Sequence, residues 1–179
     1  MWEPIRVCLV GDSGAGKSTA AWILGHRLAP CVRVDVARPL HEACDYIYRE
    51  AGLIPPSLRG VQDGRMLHGL REIFQTLEPE FLEQRFRSTV YAVDPSHSMI
   101  NADCRLALMP AMQQLGFTLV HINRDSAAER QDITRSAPRS PHDLTIPQSA
   151  CDFSIENSGT LAQLEQTLVA LIGEIRGAH

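Results

Sequence analysis

Long apolar runs are missing from this chain of 179 residues. None approaches the ~20 residues of a membrane-spanning helix, which excludes a helical integral membrane protein. Cysteine pairing signatures are missing too: Cys8, Cys31, Cys44, Cys104 and Cys151 are odd in number, scattered and free of C-x-x-C spacing. They read as packing residues of a reduced protein rather than a disulfide framework. Nor is there a basic excess. Seventeen Lys and Arg against 21 Asp and Glu leave a formal net charge of −4, which argues against a nucleic-acid polymer or a membrane surface as partner. His41, His97, His121 and His142 lack metal-ligand spacing. The first residues enter a strand-like run with no basic-then-apolar leader, so a cytoplasmic location is expected. No repeat or low-complexity tract appears. What remains is a hydrophobic content of 44%, enough at this length for one domain with a real core.

Strand and helix patterns alternate along the chain. Segments 5–10 "IRVCLV", 31–36 "CVRVDV", 89–94 "TVYAVD", 117–122 "FTLVHI" and the late "DFSIEN" read as five strands. Helical patterning follows at 17–27, 39–52, twice within 62–86, at 102–116 with an expected kink at Pro110, and at 161–175. Residues 125–148, rich in Arg, Ser, Pro and Asp, form a long excursion with weak periodicity. The expected fold is α/β, three layers α/β/α around a mainly parallel five-stranded sheet. Ligand crevices in such sheets open beyond the carboxyl ends of the strands.

Gly11-Asp12-Ser13-Gly14-Ala15-Gly16-Lys17-Ser18 fits G-x-x-x-x-G-K-[ST] between a strand and a helix. Glycines at 11, 14 and 16 let successive amides point inward, and the helix start adds partial positive charge. Lys17 is placed for the β- and γ-phosphates and Ser18 for Mg²⁺, so this is a nucleoside-triphosphate site. Such sites use an acid at a neighbouring strand end, and Asp94 is the candidate metal partner. Asp35 faces the same edge and is open to three roles: substrate binding, metal assistance or starting the next helix. "HINRD" lacks the lysine and spacing of a guanine-reading N-K-x-D motif. A small P-loop chain with an Arg-rich excursion suits a phosphotransferase whose lid excludes water, with Arg130, Arg135 and Arg139 available for phosphate.

Taken in order, further segments resemble a known family. "VDVARPLHEACDYIY" is similar to a strand followed by "FADPLK". "QDGRMLHGLREIFQTLEPEFLEQRF" resembles "R-x-L-L-Q…G…DPDxW". "VDPSHSMINADCRLALMPAMQQLGFTLVHINR" resembles "DVRFPNEA…LG…I…R", and "SACDFSIENSGTLAQLEQTL" matches "D-x-x-I-x-N-x-G-T-L-x-x-L". These are motifs of the phage-type deoxynucleoside monophosphate kinases, within the wider group that includes dephospho-coenzyme A kinase. The resemblance implies that Gly11, Ser13, Gly14, Ala15, Gly16, Lys17, Ser18 and Thr19 bind the phosphates of ATP. It implies that Arg65 meets the acceptor phosphate, with Asp35, Arg38 and His41 on the acceptor side. Asp94 then serves the metal with Ser18, Arg124 and Arg130 flank the donor or lid, and Asn157 and Gly159 lie near the donor base. His41 and Arg38 replace the family's lysine and aspartate, and Ser96 or His97 stands for its "DVR" arginine.

The expectation is therefore a single kinase domain, with its core at 1–37, 88–124 and 150–179. Residues 38–87 would form a helical acceptor-binding region and 125–148 an Arg-containing lid. ATP and Mg²⁺ are the implied co-substrate and cofactor, and a (deoxy)nucleoside monophosphate, ordinary or modified, is the implied acceptor. A non-nucleotide phosphorylated metabolite, dephospho-coenzyme A, or a non-catalytic ATP-binding role are the alternatives. Oligomeric state is left open, a homodimer included.

Overall fold

The computed structural model describes residues 3–12, 14–124 and 146–178. Its strands are β1 (Arg6–Val10), β2 (Cys31–Arg33), β3 (Ser98–Asn101), β4 (Thr118–Asn123) and β5 (Phe153–Glu156). The helices are α1 (Lys17–Arg27), α2 (Arg38–Glu50), α3 (Gly64–Leu77), α4 (Phe81–Ala92), α5 (Met109–Gln114) and α6 (Leu161–Gly177). All four strand pairings are parallel and the order is β2-β3-β1-β4-β5. The five-stranded parallel sheet with helices on both faces is the architecture expected.

Alternation along β1 sorts its side chains between two cores, as a two-residue period requires. Val7 and Leu9 join Ala20, Ile23 and Leu24 of α1 and Leu164, Leu168 and Ile172 of α6. Cys8 and Val10 face the other way, toward Leu40, Leu70, Phe86, Met112 and Leu115. The sheet is thus covered on both sides, as an all-parallel sheet must be. α6 starts at a reciprocal cap: the Thr160 hydroxyl accepts from the Gln163 amide, and the Gln163 side chain accepts from Thr160 N–H.

Three expectations change. "TVYAVD" is not a strand; its first four residues complete α4. Leu82, Phe86 and Val90 recur at helical spacing on the buried face of α4. The Ser88 and Thr89 hydroxyls donate to the carbonyls four residues back, each at 2.9 Å, which accommodates strand-favouring residues in a helix. Packing overrides propensity here. The strand is instead "SMIN", β3, which lies between β2 and the central β1 and pairs with β1 from Arg6↔Met99 to Cys8↔Asn101. Finally, 102–116 is not one kinked helix: an extended stretch and a single 3₁₀ turn at Leu106–Leu108 lead into α5, whose first turn holds Pro110.

Candidate active site

Gly11 leaves β1 at φ +140°, and a Cβ there would lie 2.3 Å from the Ile122 carbonyl oxygen. Only glycine lets the chain turn that close to β4. Gly16 caps α1 at φ +98°, where a Cβ would lie 2.3 Å from Asn157 Nδ2. That nitrogen donates to the Ala15 carbonyl at 2.8 Å, so Asn157, just past β5, braces the turn from behind. Inside the turn, Lys17 Nζ donates to the carbonyls of Gly11 (2.8 Å) and Asp12 (2.7 Å). The amides at the start of α1 have no intrahelical acceptor and point out of the helix end. Its first turn holds no acid, leaving that positive end uncompensated by the helix itself. Ser18 and Thr19 are exposed on this turn, and Arg124, after β4, donates to the Gly14 carbonyl at 3.4 Å. Gly159 lies beside Gln163 at the cap of α6. Ser13 and Arg130, with Arg135 and Arg139, lie outside the described residues.

Asp94 is on the wrong edge of the sheet. It precedes β3, whose first residues, Ser98 and Met99, donate their amides to the Pro30 and Ile5 carbonyls at 3.0 and 2.9 Å. Those partners mark the end where β1 begins, opposite the Gly11 turn. Asp94 binds locally instead: its Oδ1 accepts from the Ser96 amide and hydroxyl at 2.8 and 2.7 Å. The acid beyond β3 on the correct edge is Asp103. Its Oδ1 accepts from the Val36 amide (3.0 Å) and its Oδ2 from the Ala37 amide (2.8 Å), tying it to the start of α2. Fully buried Asn101 completes the group, donating to Asp103 Oδ1 at 2.6 Å and to the Val34 carbonyl at 2.7 Å. Burial pushes the Asp103 carboxyl above the usual carboxylate range, the Ala37 and Val36 amides pull it down, and nearby Asp35 adds to the rise. Asp35 itself accepts from Arg33 Nε at 2.9 Å.

A cavity of about 160 Å³ opens beside this edge, between the start of α2, α3, the start of α4 and residues 103–108. Arg71 and Gln75 of α3 line it with Asp103 and Arg105, over apolar Val36, Leu82 and Leu108. Arg105 lies within electrostatic reach of Lys17. Burial and this guanidinium hold the Lys17 ammonium below the usual lysine range, while Asp12 acts in the opposite sense. Arg105 thus lines the cavity and also acts electrostatically on Lys17. Of the acceptor-side residues expected from sequence, Arg65 is exposed beside the Asp63 cap of α3, and Arg38 pairs with Glu42 at 2.7 Å. Neither they nor His41 line the cavity. Asp103 and Arg105 are not among the residues expected from sequence, because a strand at "VYAVD" makes Asp94 the strand-end acid. The local signal is an acid and a guanidinium, Asp103 and Arg105, one alanine past "SMIN".

The oxygen donors at this edge suit a small hard cation. Ser18 offers a hydroxyl, Asp35 and Asp103 carboxylates, and among the described residues no group of three or more His, Cys, Asp or Glu is arranged for a metal. So sparse an oxygen set would fit a Mg²⁺ held mainly by phosphates and water, with one or two protein oxygens. No helix among the described residues is long and apolar enough to cross a membrane.

No protein-family model and no curated protein matches this sequence. Solved structures do. The Mycobacterium tuberculosis APS kinase CysC in complex with AMPPNP and APS superimposes with a TM-score of 0.55 at 16% identity, over 97% of this chain and 99% of that one. TT1252 from Thermus thermophilus gives 0.53 at 17%, over 96% and 98%. Shikimate kinase from Aquifex aeolicus gives 0.50 at 15%, over 96% and 98%. What this chain shares with them is the fold, a parallel sheet covered by helices on both faces, along nearly the whole length of each.

Proposed function

We propose that this chain is an ATP-dependent phosphotransferase that moves the γ-phosphoryl group of ATP onto the phosphate of a small monophosphate ester, a (deoxy)nucleoside monophosphate. The observation that carries this reading is Arg105, which lines the cavity and whose charge is felt by Lys17 in the glycine turn. A guanidinium in that position neutralises charge on a group passing between two anions.

The turn amides and Lys17 hold the β- and γ-phosphates, and Arg105 with Arg71 holds the acceptor phosphate in line. An acceptor oxygen forms the new bond to the γ-phosphorus as the bond to the β–γ bridging oxygen breaks, giving ADP and a diphosphate. The attacking oxygen is already anionic at neutral pH, so positioning and charge neutralisation suffice. Mg²⁺, with Ser18 and the Asp35 and Asp103 carboxylates nearby, would supply further neutralisation at the phosphates. Arg124 serves the donor side from its place on the turn. The fold likeness to an APS kinase and a shikimate kinase favours a second reading, a small acceptor that is not a nucleoside monophosphate.

Lys17 is the chain's only lysine, which gives the donor site its own assay. ATP should block acylation of Lys17, read by mass spectrometry of the peptide that contains it. ADP release is then followed with a panel of nucleoside monophosphates, shikimate and APS. At least one monophosphate should raise ADP release well above the acceptor-free rate. Protection of Lys17 without any nucleotide acceptor would move the reading to the second class. Absence of protection would end both.

A further inference from the structure

The two ends of the cavity carry opposite charge. Beside the glycine turn stands Arg105. At the far end, where α3 gives way to α4, the lining residues are Glu80 and Glu83, with Gln75 one turn beyond Arg71. The two glutamates differ in how they are engaged. Glu83 accepts from Arg87 Nε at 2.9 Å and is an ion pair within α4. Glu80, the N-cap of α4, has a single side-chain bond, to Oε2 from Gln84 Nε2 at 3.3 Å; among the described residues nothing donates to Oε1. A carboxylate only accepts hydrogen bonds, so the open Oε1 offers an acceptor to the cavity.

We propose, resting on the nucleotide reading above, that Glu80 selects acceptors whose far end bears an exocyclic amino group: cytosine, adenine or guanine monophosphates over those of uracil and thymine. With the phosphate on Arg105 and Arg71, the base lies between the apolar walls of Leu82 and Leu108. Its edge then faces Glu80 and Gln75. An amino group donates to the free carboxylate oxygen, and the Gln75 amide, both donor and acceptor, meets the neighbouring ring nitrogen or carbonyl. Uracil and thymine bring carbonyl oxygens on both sides of their single ring N–H. Two acceptors then face each other with no proton between them, a mismatch that an amino group at the same place avoids.

The test compares kcat/KM for dCMP, dAMP, dGMP, dUMP and dTMP in the full chain and in Glu80→Gln, with ATP protection of Lys17 monitored in both as the check on folding and donor binding. The native chain should prefer at least one amino-bearing base over dUMP and dTMP by roughly tenfold or more, the scale of one good base-edge contact. Glu80→Gln, whose amide can donate to a carbonyl, should shrink that ratio severalfold by raising dUMP and dTMP use. Equal use of dTMP by the native chain, or an unchanged ratio in the variant, overturns the role of Glu80 while leaving the kinase reading in place. Lys17 protection with no turnover of any of the five overturns the nucleotide reading and this inference together.

Discussion

Replacing Gly16 with alanine should strain the phosphate turn by an amount that can be worked out in advance. An L-residue at φ +98° costs about 1–2 kcal/mol relative to glycine. The new Cβ would fall 2.3 Å from Asn157 Nδ2, so that side chain must swing away. Its bond to the Ala15 carbonyl is then lost, a further ~0.5–1.5 kcal/mol. The sum is about 2–3 kcal/mol, or ~5–10 °C in melting temperature for a chain of this size. Asn157→Ala removes the same bond by another route, so the two changes share a term. In the double variant the Cβ has room, and the combined loss should fall short of the sum by about 1 kcal/mol. Urea and thermal unfolding followed by circular dichroism on the two single variants and the double variant measure this coupling. Additivity within ~0.3 kcal/mol, or a Gly16→Ala protein as stable as the native one, would refute the idea that Asn157 braces the turn.

Two further predictions follow from where the acids lie. Asp94→Asn, at the opposite edge of the sheet, should leave ADP release within about twofold of native, whereas Asp103→Asn should lower it ~10–100-fold by loosening the start of α2 and Arg105. The reverse pattern would return the role to Asp94. Asp63 caps α3: its Oδ1 accepts from the Met66 amide at 3.0 Å and its Oδ2 from the Tyr48 hydroxyl at 2.6 Å. These bonds, the amide foremost, hold its carboxyl below the usual range. Asp63→Ala should cost about 1 kcal/mol at neutral pH. Because the folded-state pKa is depressed, that contribution is fully present above the unfolded value of ~4 and is lost as pH falls through the folded value. Urea unfolding at pH 7 and pH 3 should show the gap between native and variant closing at the lower pH; a constant gap would contradict the ionic part of the cap.

The parts of the fold legible in the sequence are those with one dominant cause. The turn from Gly11 to Lys17 needs glycine where the backbone has positive φ or meets β4, and no other pattern satisfies it. β1 and β4 are apolar runs buried on both faces, and α6 carries its stripe and its cap in plain view. The strand beside β1, β3, is hidden for the opposite reason. β3 is short, and two of its four residues, Ser98 and Asn101, are polar yet buried at 3% and 0% exposure. Their partners come from distant strands: the Ile5 amide donates to Ser98 Oγ at 3.2 Å, and Asn101 meets the Val34 carbonyl. No local pattern announces such bonds. Once β3 was displaced to "TVYAVD", the strand-end acid moved with it. Arg71 was equally hidden. Arg65 and Arg71 both sit on α3, and which one lines the cavity depends on how Leu70 and Phe74 seat the helix against the sheet.

Under the proposed function, Asn101 also accounts for how donor and acceptor sides stay in register. A fully buried amide is a poor choice for stability alone, since an apolar residue in its place would avoid the cost of desolvating it. Here it joins the middle of β1 to the ends of β2 and β3. It accepts from Cys8 Sγ on β1 at 3.5 Å, donates to the Val34 carbonyl just past β2, and donates to Asp103 just past β3. Asp103 passes the constraint to the Val36 and Ala37 amides, which form the cavity wall. Phosphoryl transfer tolerates little misplacement, because a displacement of ~1 Å can cost ~100-fold. A polar hub that ties the glycine turn's strand to the acceptor wall fixes that distance as interchangeable apolar contacts would not. On this argument Asn101→Leu should keep the fold yet lose turnover out of proportion to any loss of ATP protection at Lys17. Equal losses in both would mean that the hub merely supports the donor turn.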